Sequence, residues 1–141
     1  MYDYHTHSSF SDDCVIPAED MIQAAIQKGV KELAITDHYD PDYPDPQYPF
    51  VIDFNKYHDT LLKVEKTYKN QIKIIKGLEI GIQHGETLEK CKAAAKAFPY
   101  DFLIGSFHCT DHKDLYTGYF TEGVDIPKAF ERYYEYAYEC L

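Results

Sequence analysis

Short apolar runs alternate along this chain with longer segments whose apolar residues recur every three or four positions. Met1–Tyr4 is a strand candidate leading directly into His5. Pro17 reads as the first residue of a helix, with Glu19 and Asp20 in its first turn and Met21, Ile22, Ala25 and Ile26 at helical spacing; Gly29 is its natural stop. Leu33–Ile35 is a short strand of buried type that ends at Thr36-Asp37-His38. Pro41, Pro44, Pro46 and Pro49 then interrupt a run of aspartates and tyrosines and make 40–49 a loop. Asp53 caps a helix reaching to about Tyr68, with Tyr57, Leu61, Val64 and Tyr68 on one face. Ile72–Ile75 and Leu78 form a third strand closing on Glu79. Thr87 to Ala97 is helical, with Leu88, Cys91, Ala94 and Ala95 facing inward. Phe102–Ile104 is a fourth strand, followed by Ser106-Phe107-His108, and Asp125 with Pro127 opens a helix that reaches Leu141.

The predicted order is therefore β-α-β-α-β-α-β-α over a single domain, residues 1–141. Such alternation implies right-handed crossovers and a parallel α/β sheet, in which functional side chains gather at the carboxyl ends of the strands. Here each of the four strand ends carries a histidine or a glutamate: His5 and His7, His38, Glu79, and His108. His5-Thr6-His7 is an H-x-H pair whose rings fall on one side by strand alternation. Asp37, beside His38, is a candidate carboxylate for orienting a ligand ring. Glu79 ends an otherwise apolar strand, where a charge is costly unless a cation pairs with it. Mixed imidazole and carboxylate donors suit zinc, iron or manganese, and more donors than one ion needs point to two or three divalent metals. Such a site generates hydroxide near neutral pH and clamps phosphoryl oxygens.

Composition narrows the alternatives. With 24 acidic residues against 14 basic ones the net charge is -10, a poor basis for holding nucleic acid. No apolar run approaches the ~20 residues of a membrane span, and the N-terminal stretch lacks the character of a secretion signal, so a cytoplasmic protein is expected. Cys14, Cys91, Cys109 and Cys140 make no C-x-x-C pair and read mostly as small core or semi-buried residues; a thiol-catalyst role for Cys109 is not expected. There are 14 tyrosines, and Tyr133, Tyr134, Tyr136 and Tyr138 are expected to pack the last helix with their hydroxyls in water. Arg132 is the only arginine and is expected at the surface.

Asp3-Tyr4-His5-Thr6-His7-Ser8, Thr36-Asp37-His38, Gly77-Leu78-Glu79 and Ile104-Gly105-Ser106-Phe107-His108, in that order, resemble the motifs of the PHP (polymerase and histidinol phosphatase) family. The stretch from Phe98 to His108 resembles its histidinol-phosphate phosphatase branch. The resemblance implies a distorted seven-stranded TIM-like (β/α) barrel with a trinuclear metal site at the strand ends. It implies His5, His7, His38, Glu79 and His108 as ligands, and a further one from Ser8–Asp13, where spacing favours Asp13 over Asp12. It also implies hydrolysis of L-histidinol phosphate, in histidine biosynthesis, with Tyr116 near the substrate. Members of that branch are about twice as long, so this chain is expected to hold about four βα units of the barrel and part of the ligand set. A homodimer completing the half-barrel is one expectation that follows. A metal-binding, self-associating half-barrel without turnover and a phosphodiesterase or exonuclease of the same superfamily are the alternative readings.

Overall fold

The computed structural model describes residues 1–121 and 123–141. Its elements follow the predicted alternation. β1 (Tyr2–Asp3) is followed by α1 (Ala18–Gln27), β2 (Glu32–Ile35), β3 (His38–Tyr39), α2 (Phe54–Tyr68), β4 (Lys73–Gly81) and α3 (Glu86–Lys96). Then come β5 (Phe102–Ser106), β6 (Cys109–Thr110), β7 (Lys113–Asp114), a wide π-helical turn over Leu115–Tyr119, and α4 (Ile126–Cys140).

Local chemistry fixes these boundaries. The Asp53 side chain accepts from the Lys56 N–H and opens α2, and Asp125 caps α4 in the same way through Lys128. Gly29, at φ 71°, lets the chain leave α1 in the left-handed conformation that side chains disfavour. Apolar residues at helical spacing then turn inward. Ile22 of α1 and Tyr57, Leu61 and Val64 of α2 are all fully buried.

Every strand pair among β1 to β5 is parallel. β4 is the spine: β2 pairs with its first half, β3 with its second half on the same side, and β5 with its other edge. β2 and β3 thus share one position in the sheet, interrupted at Thr36-Asp37, where the Glu79 N–H still donates to the Asp37 carbonyl at 3.0 Å. The sequence pattern ends this strand at Thr36-Asp37-His38, and the structure adds β3 beyond the break, which turns His38 back into register beside Glu79. The spatial order, β1, then β2 with β3, then β4, then β5, follows the chain, as in the wall of a (β/α) barrel. The described strands form an open sheet rather than a closed barrel, with β1 and β5 as free edges.

Ile74, Leu78 and Ile80 of β4 join the core shared with the helices, and strand alternation sends Gly77, Glu79 and Gly81 to the opposite face. The Tyr57 hydroxyl reaches from α2 to donate to the Gly77 carbonyl at 2.9 Å and to accept from the Asp37 N–H at 3.2 Å. One buried side chain therefore fixes the ends of two strands just below the histidines.

Two expectations need correction. β6 and β7 form an antiparallel hairpin that the sequence reading left as loop, because its turn residues, Asp111 and His112, carry no glycine or asparagine signal yet both adopt positive φ. Of the C-terminal tyrosines, Tyr136 is buried and accepts from the His84 N–H, whereas Tyr134 and Tyr138 are exposed whole rather than by their tips. Arg132 is at the surface as expected, and it holds Asp111 bidentately at 2.7 and 3.0 Å, tying α4 to the hairpin turn. No helix among the described residues is long and apolar enough to cross a membrane.

Candidate metal centre

The carboxyl ends of β1 to β5 converge, and Glu79 lies at the centre of the convergence with only 2% of its side chain exposed. Glu79 Oε2 stands 2.9 Å from His5 Nε2 and 2.9 Å from His7 Nε2, and those two nitrogens are 3.1 Å apart. His38 Nε2 lies 3.5 Å from the same oxygen, while His108 Nε2 lies 3.2 Å from Oε1. Asp13 completes the ring of donors, its Oδ2 3.0 Å from His7 Nδ1 and 3.7 Å from His38 Nε2. These atoms define three overlapping groups with metal-site spacing: His5–His7–Glu79, His7–Asp13–His38 and His38–Glu79–His108.

Hydrogen bonding alone does not satisfy this arrangement. His5 Nε2, His7 Nε2 and Glu79 Oε2 form a triangle with every edge at 2.9–3.1 Å. However protons are placed on the two rings, at least one edge is left with two lone pairs or two N–H groups facing each other. A cation at the centre satisfies all three at once. Donor atoms around a tetrahedral zinc with bonds of about 2.1 Å sit about 3.4 Å apart, close to the spacings here. The residues present therefore fit a divalent metal, and Glu79, with Oε2 toward His5, His7 and His38 and Oε1 toward His108, suits a shared ligand.

The supporting contacts are specific. Asp40 Oδ1 bonds His38 Nδ1 at 3.1 Å and Oδ2 bonds His108 Nδ1 at 2.6 Å, so one buried carboxylate orients two rings with their Nε2 atoms toward Glu79. The Ser106 hydroxyl donates to Glu79 Oε1 at 2.6 Å. The sequence reading missed both. Asp40 stood in the proline-rich loop, although the His-x-Asp spacing on β3 puts residues 38 and 40 on one side of the strand. The ring-orienting role expected of Asp37 belongs instead to Asp40. The Asp37 carboxylate points away from the rings and accepts from the Ser8 N–H, the Ser8 hydroxyl and the Ser11 hydroxyl. Ser11 Oγ in turn accepts from the His38 N–H at 2.8 Å. Asp37 thereby shapes the loop that presents Asp13. Asp12 faces away and accepts from the Phe50 N–H at 2.7 Å, so Asp13 is the residue brought to the cluster.

Burial and charge act against each other here. Burial lowers the affinity of His7 for its second proton, but Glu79 and Asp13 outweigh it and raise its pKa to about 8. His108 is likewise opposed by burial yet raised to about 10 by Asp40 and Glu79. Burial tends to raise Glu79 and Asp40, and the surrounding rings nonetheless hold both below the ordinary carboxylate range. Since both histidines are raised, the stability they lend the metal-free protein is full below their ordinary value of 6.5. It is lost as the pH rises through about 8 and then about 10. Any entering cation must displace those protons. Thermal unfolding of the metal-free chain is therefore expected at a lower temperature at pH 10 than at pH 6.5, with zinc affinity rising over the same interval. Equal unfolding temperatures across that range would contradict the assigned histidine–carboxylate pairing. Cys109 is buried and its thiol is pushed up to about 12, which agrees with its exclusion as a nucleophile.

The model of the PHP domain family matches residues 3–141, and the chain belongs to that family. Within it, the chain is 30% identical over 141 residues to a probable histidinol-phosphatase of Clostridium acetobutylicum, covering 100% of this chain and 52% of the relative. It is 32% identical over 116 residues to a histidinol-phosphatase of Lactococcus lactis, covering 82% of this chain and 42% of that protein. The crystal structure of a Lactococcus lactis histidinol phosphate phosphatase complexed with zinc, L-histidinol and phosphate superposes with a TM-score of 0.87 at 27% identity, over 98% of this chain and 52% of that one. The chain thus spans about half the length of the relatives it matches.

Proposed function

We propose that this chain is part of a metal-dependent phosphomonoester hydrolase acting on L-histidinol phosphate, releasing L-histidinol and phosphate in the histidine-biosynthetic pathway of the cytoplasm. The observation that carries this reading is the Glu79 carboxylate, placed within 2.9–3.5 Å of four histidine nitrogens. His5, His7, Asp13, His38, Glu79 and His108 are the proposed ligands, for zinc, manganese or iron. The relatives named histidinol-phosphatase, and the zinc, L-histidinol and phosphate bound by the Lactococcus structure, support the same reading.

Cations held there supply Lewis acidity toward phosphoryl oxygens and lower the pKa of a bound water. The chain's own residues do the rest. Asp40 keeps the rings of His38 and His108 aimed, Ser106 fixes the rotamer of Glu79, and Asp37 holds the loop bearing Asp13. Tyr116, 91% exposed, stands at the mouth of the cleft beside His38 and His108, where a substrate would pass. With a net charge of -10, the chain favours a small phosphorylated metabolite over nucleic acid.

The free edges support a second reading, a self-associating half-barrel. Tyr2 is 63% and Leu103 41% exposed on β1 and β5. Two copies about a twofold axis parallel to the strands would set β5 of one beside β1 of the other. Four sheet positions from each chain would then make about eight, the number in a closed (β/α) barrel. One preparation tests both readings: zinc-, manganese- or iron-dependent phosphate release from L-histidinol phosphate, with a chelator control, alongside the solution mass. Metal-dependent release is expected of the phosphatase, and absence of release with every metal would defeat that reading. A mass twice 16.4 kDa is expected of the half-barrel pair, and a monomer would defeat it.

A further inference from the structure

β2 and β3 pair with β4 in one unshifted register, Ile35 opposite Lys76 and His38 opposite Glu79, which places Asp37 opposite Leu78. In a parallel ladder a residue at that position sends its N–H to the Gly77 carbonyl and accepts the Glu79 N–H on its own carbonyl. The second of these bonds is present at 3.0 Å. The first is replaced. The Asp37 N–H donates instead to the Tyr57 hydroxyl at 3.2 Å, and that hydroxyl donates to the Gly77 carbonyl at 2.9 Å, with the Ile35 carbonyl 3.3 Å away. A side chain of α2 thus stands inside the sheet as the middle of one rung. One residue further along, His38 faces Glu79, with Nε2 and Oε2 3.5 Å apart. The fully buried Tyr57 ring also packs edge-on against Phe10 at 5.1 Å, in the loop that presents Asp13.

Resting on the metal-centre reading, we propose that Tyr57 is a positioning residue of that centre, its hydroxyl a spacer that holds β3 off β4 and so sets the distance between His38 and Glu79. A rung that runs through an inserted oxygen is wider than a direct one, since contacts of 3.2 and 2.9 Å replace a single N–H to carbonyl bond of about 3.0 Å. Without the hydroxyl, the Asp37 N–H and the Gly77 carbonyl are buried and unpaired, and closing the strands onto the direct bond is the nearest way to satisfy both. Closure draws His38 toward Glu79. His5 and His7 follow β1, on the far side of β2, and keep their place. Of the donor groups, His38–Glu79–His108 is therefore disturbed more than His5–His7–Glu79.

Tyr57→Phe keeps the ring against Phe10 and removes only the hydroxyl. The test is zinc binding, by competition with a chromophoric chelator, together with the visible absorption of the cobalt-loaded chain, which reports ligand geometry. Val64→Ala, a core truncation further along α2, is the control. In Tyr57→Phe the zinc ion of the His38–His108 set is expected to bind at least about tenfold more weakly, as when a ligand loses its supporting partner, and the cobalt spectrum to shift. Zinc on the His5–His7 set should change by no more than about twofold. Val64→Ala should unfold at a lower temperature with both metal readouts at wild-type values. Wild-type zinc affinity and cobalt spectrum in Tyr57→Phe, or an equal loss in Val64→Ala, would overturn the positioning role and leave the metal centre standing. So would a Tyr57→Phe chain that fails to fold with zinc present, since the hydroxyl would then serve the fold as a whole. A wild-type chain that binds no zinc would overturn the metal centre and the positioning role with it.

Discussion

Replacing Glu79 by glutamine is expected to weaken zinc binding by at least about a hundredfold, since loss of the outer-shell partner of a ligand alone costs about 10–100-fold. Glutamine keeps the volume and an oxygen within reach of the Ser106 hydroxyl, so the fold is not the reason for the loss. What disappears is the charge and one of the two oxygens that face opposite histidine sets, His5 and His7 at Oε2 and His108 at Oε1. Competition against a chromophoric chelator measures the affinity directly. In the same variant the raised proton affinities of His7 and His108 should relax, because Glu79 is one of the carboxylates that raise them. The pH dependence of metal-free stability should flatten accordingly. Unchanged zinc affinity in Glu79→Gln would remove Glu79 from the ligand set.

The second large effect is expected from a residue that touches no metal. Asp40→Asn leaves an oxygen for only one of the two Nδ1 atoms that the carboxylate now holds, so either His38 or His108 loses its orientation. The expected cost is about 10–100-fold in zinc affinity. Gly81→Ala provides an independent route to the same state. A Cβ on Gly81 would run directly into the Asp40 carboxylate and force it aside, although residue 81 itself bears no chemistry. Chelator competition on both variants, with far-ultraviolet circular dichroism to confirm folding, checks the pair. Two folded variants with wild-type affinity would show that the Asp40 contacts are incidental.

Of the proposed ligands, His5, His7, His38, Glu79 and His108 were legible in the sequence because each stands at or just past the end of a run read as a strand, whereas Asp13, in a polar loop, came from the family resemblance alone. Their convergence follows from parallel topology rather than from any local signal. The same logic failed for Asp40 and Asp37, which lie on either side of His38 and Tyr39. Proline-rich surroundings masked the brief return to extended backbone at β3, and with it the alternation that turns Asp40 toward the rings and Asp37 away. The β6–β7 hairpin escaped for a related reason. Its turn holds Asp111 and His112 at positive φ without the residues that normally announce such a turn, and the bidentate Arg132–Asp111 contact that ties it to α4 is tertiary. Helices, by contrast, were placed to within a residue or two, since their caps and periodicity are local.

Elemental analysis of the zinc-loaded, desalted chain tests the metal centre most directly. If each imidazole serves one ion and Glu79 is shared, the His5–His7 and His38–His108 sets should retain two zinc ions per chain, falling below one in Glu79→Gln. A folded chain that retains no zinc, or that retains the same amount with and without Glu79, would contradict the assignment of this cluster as a metal centre.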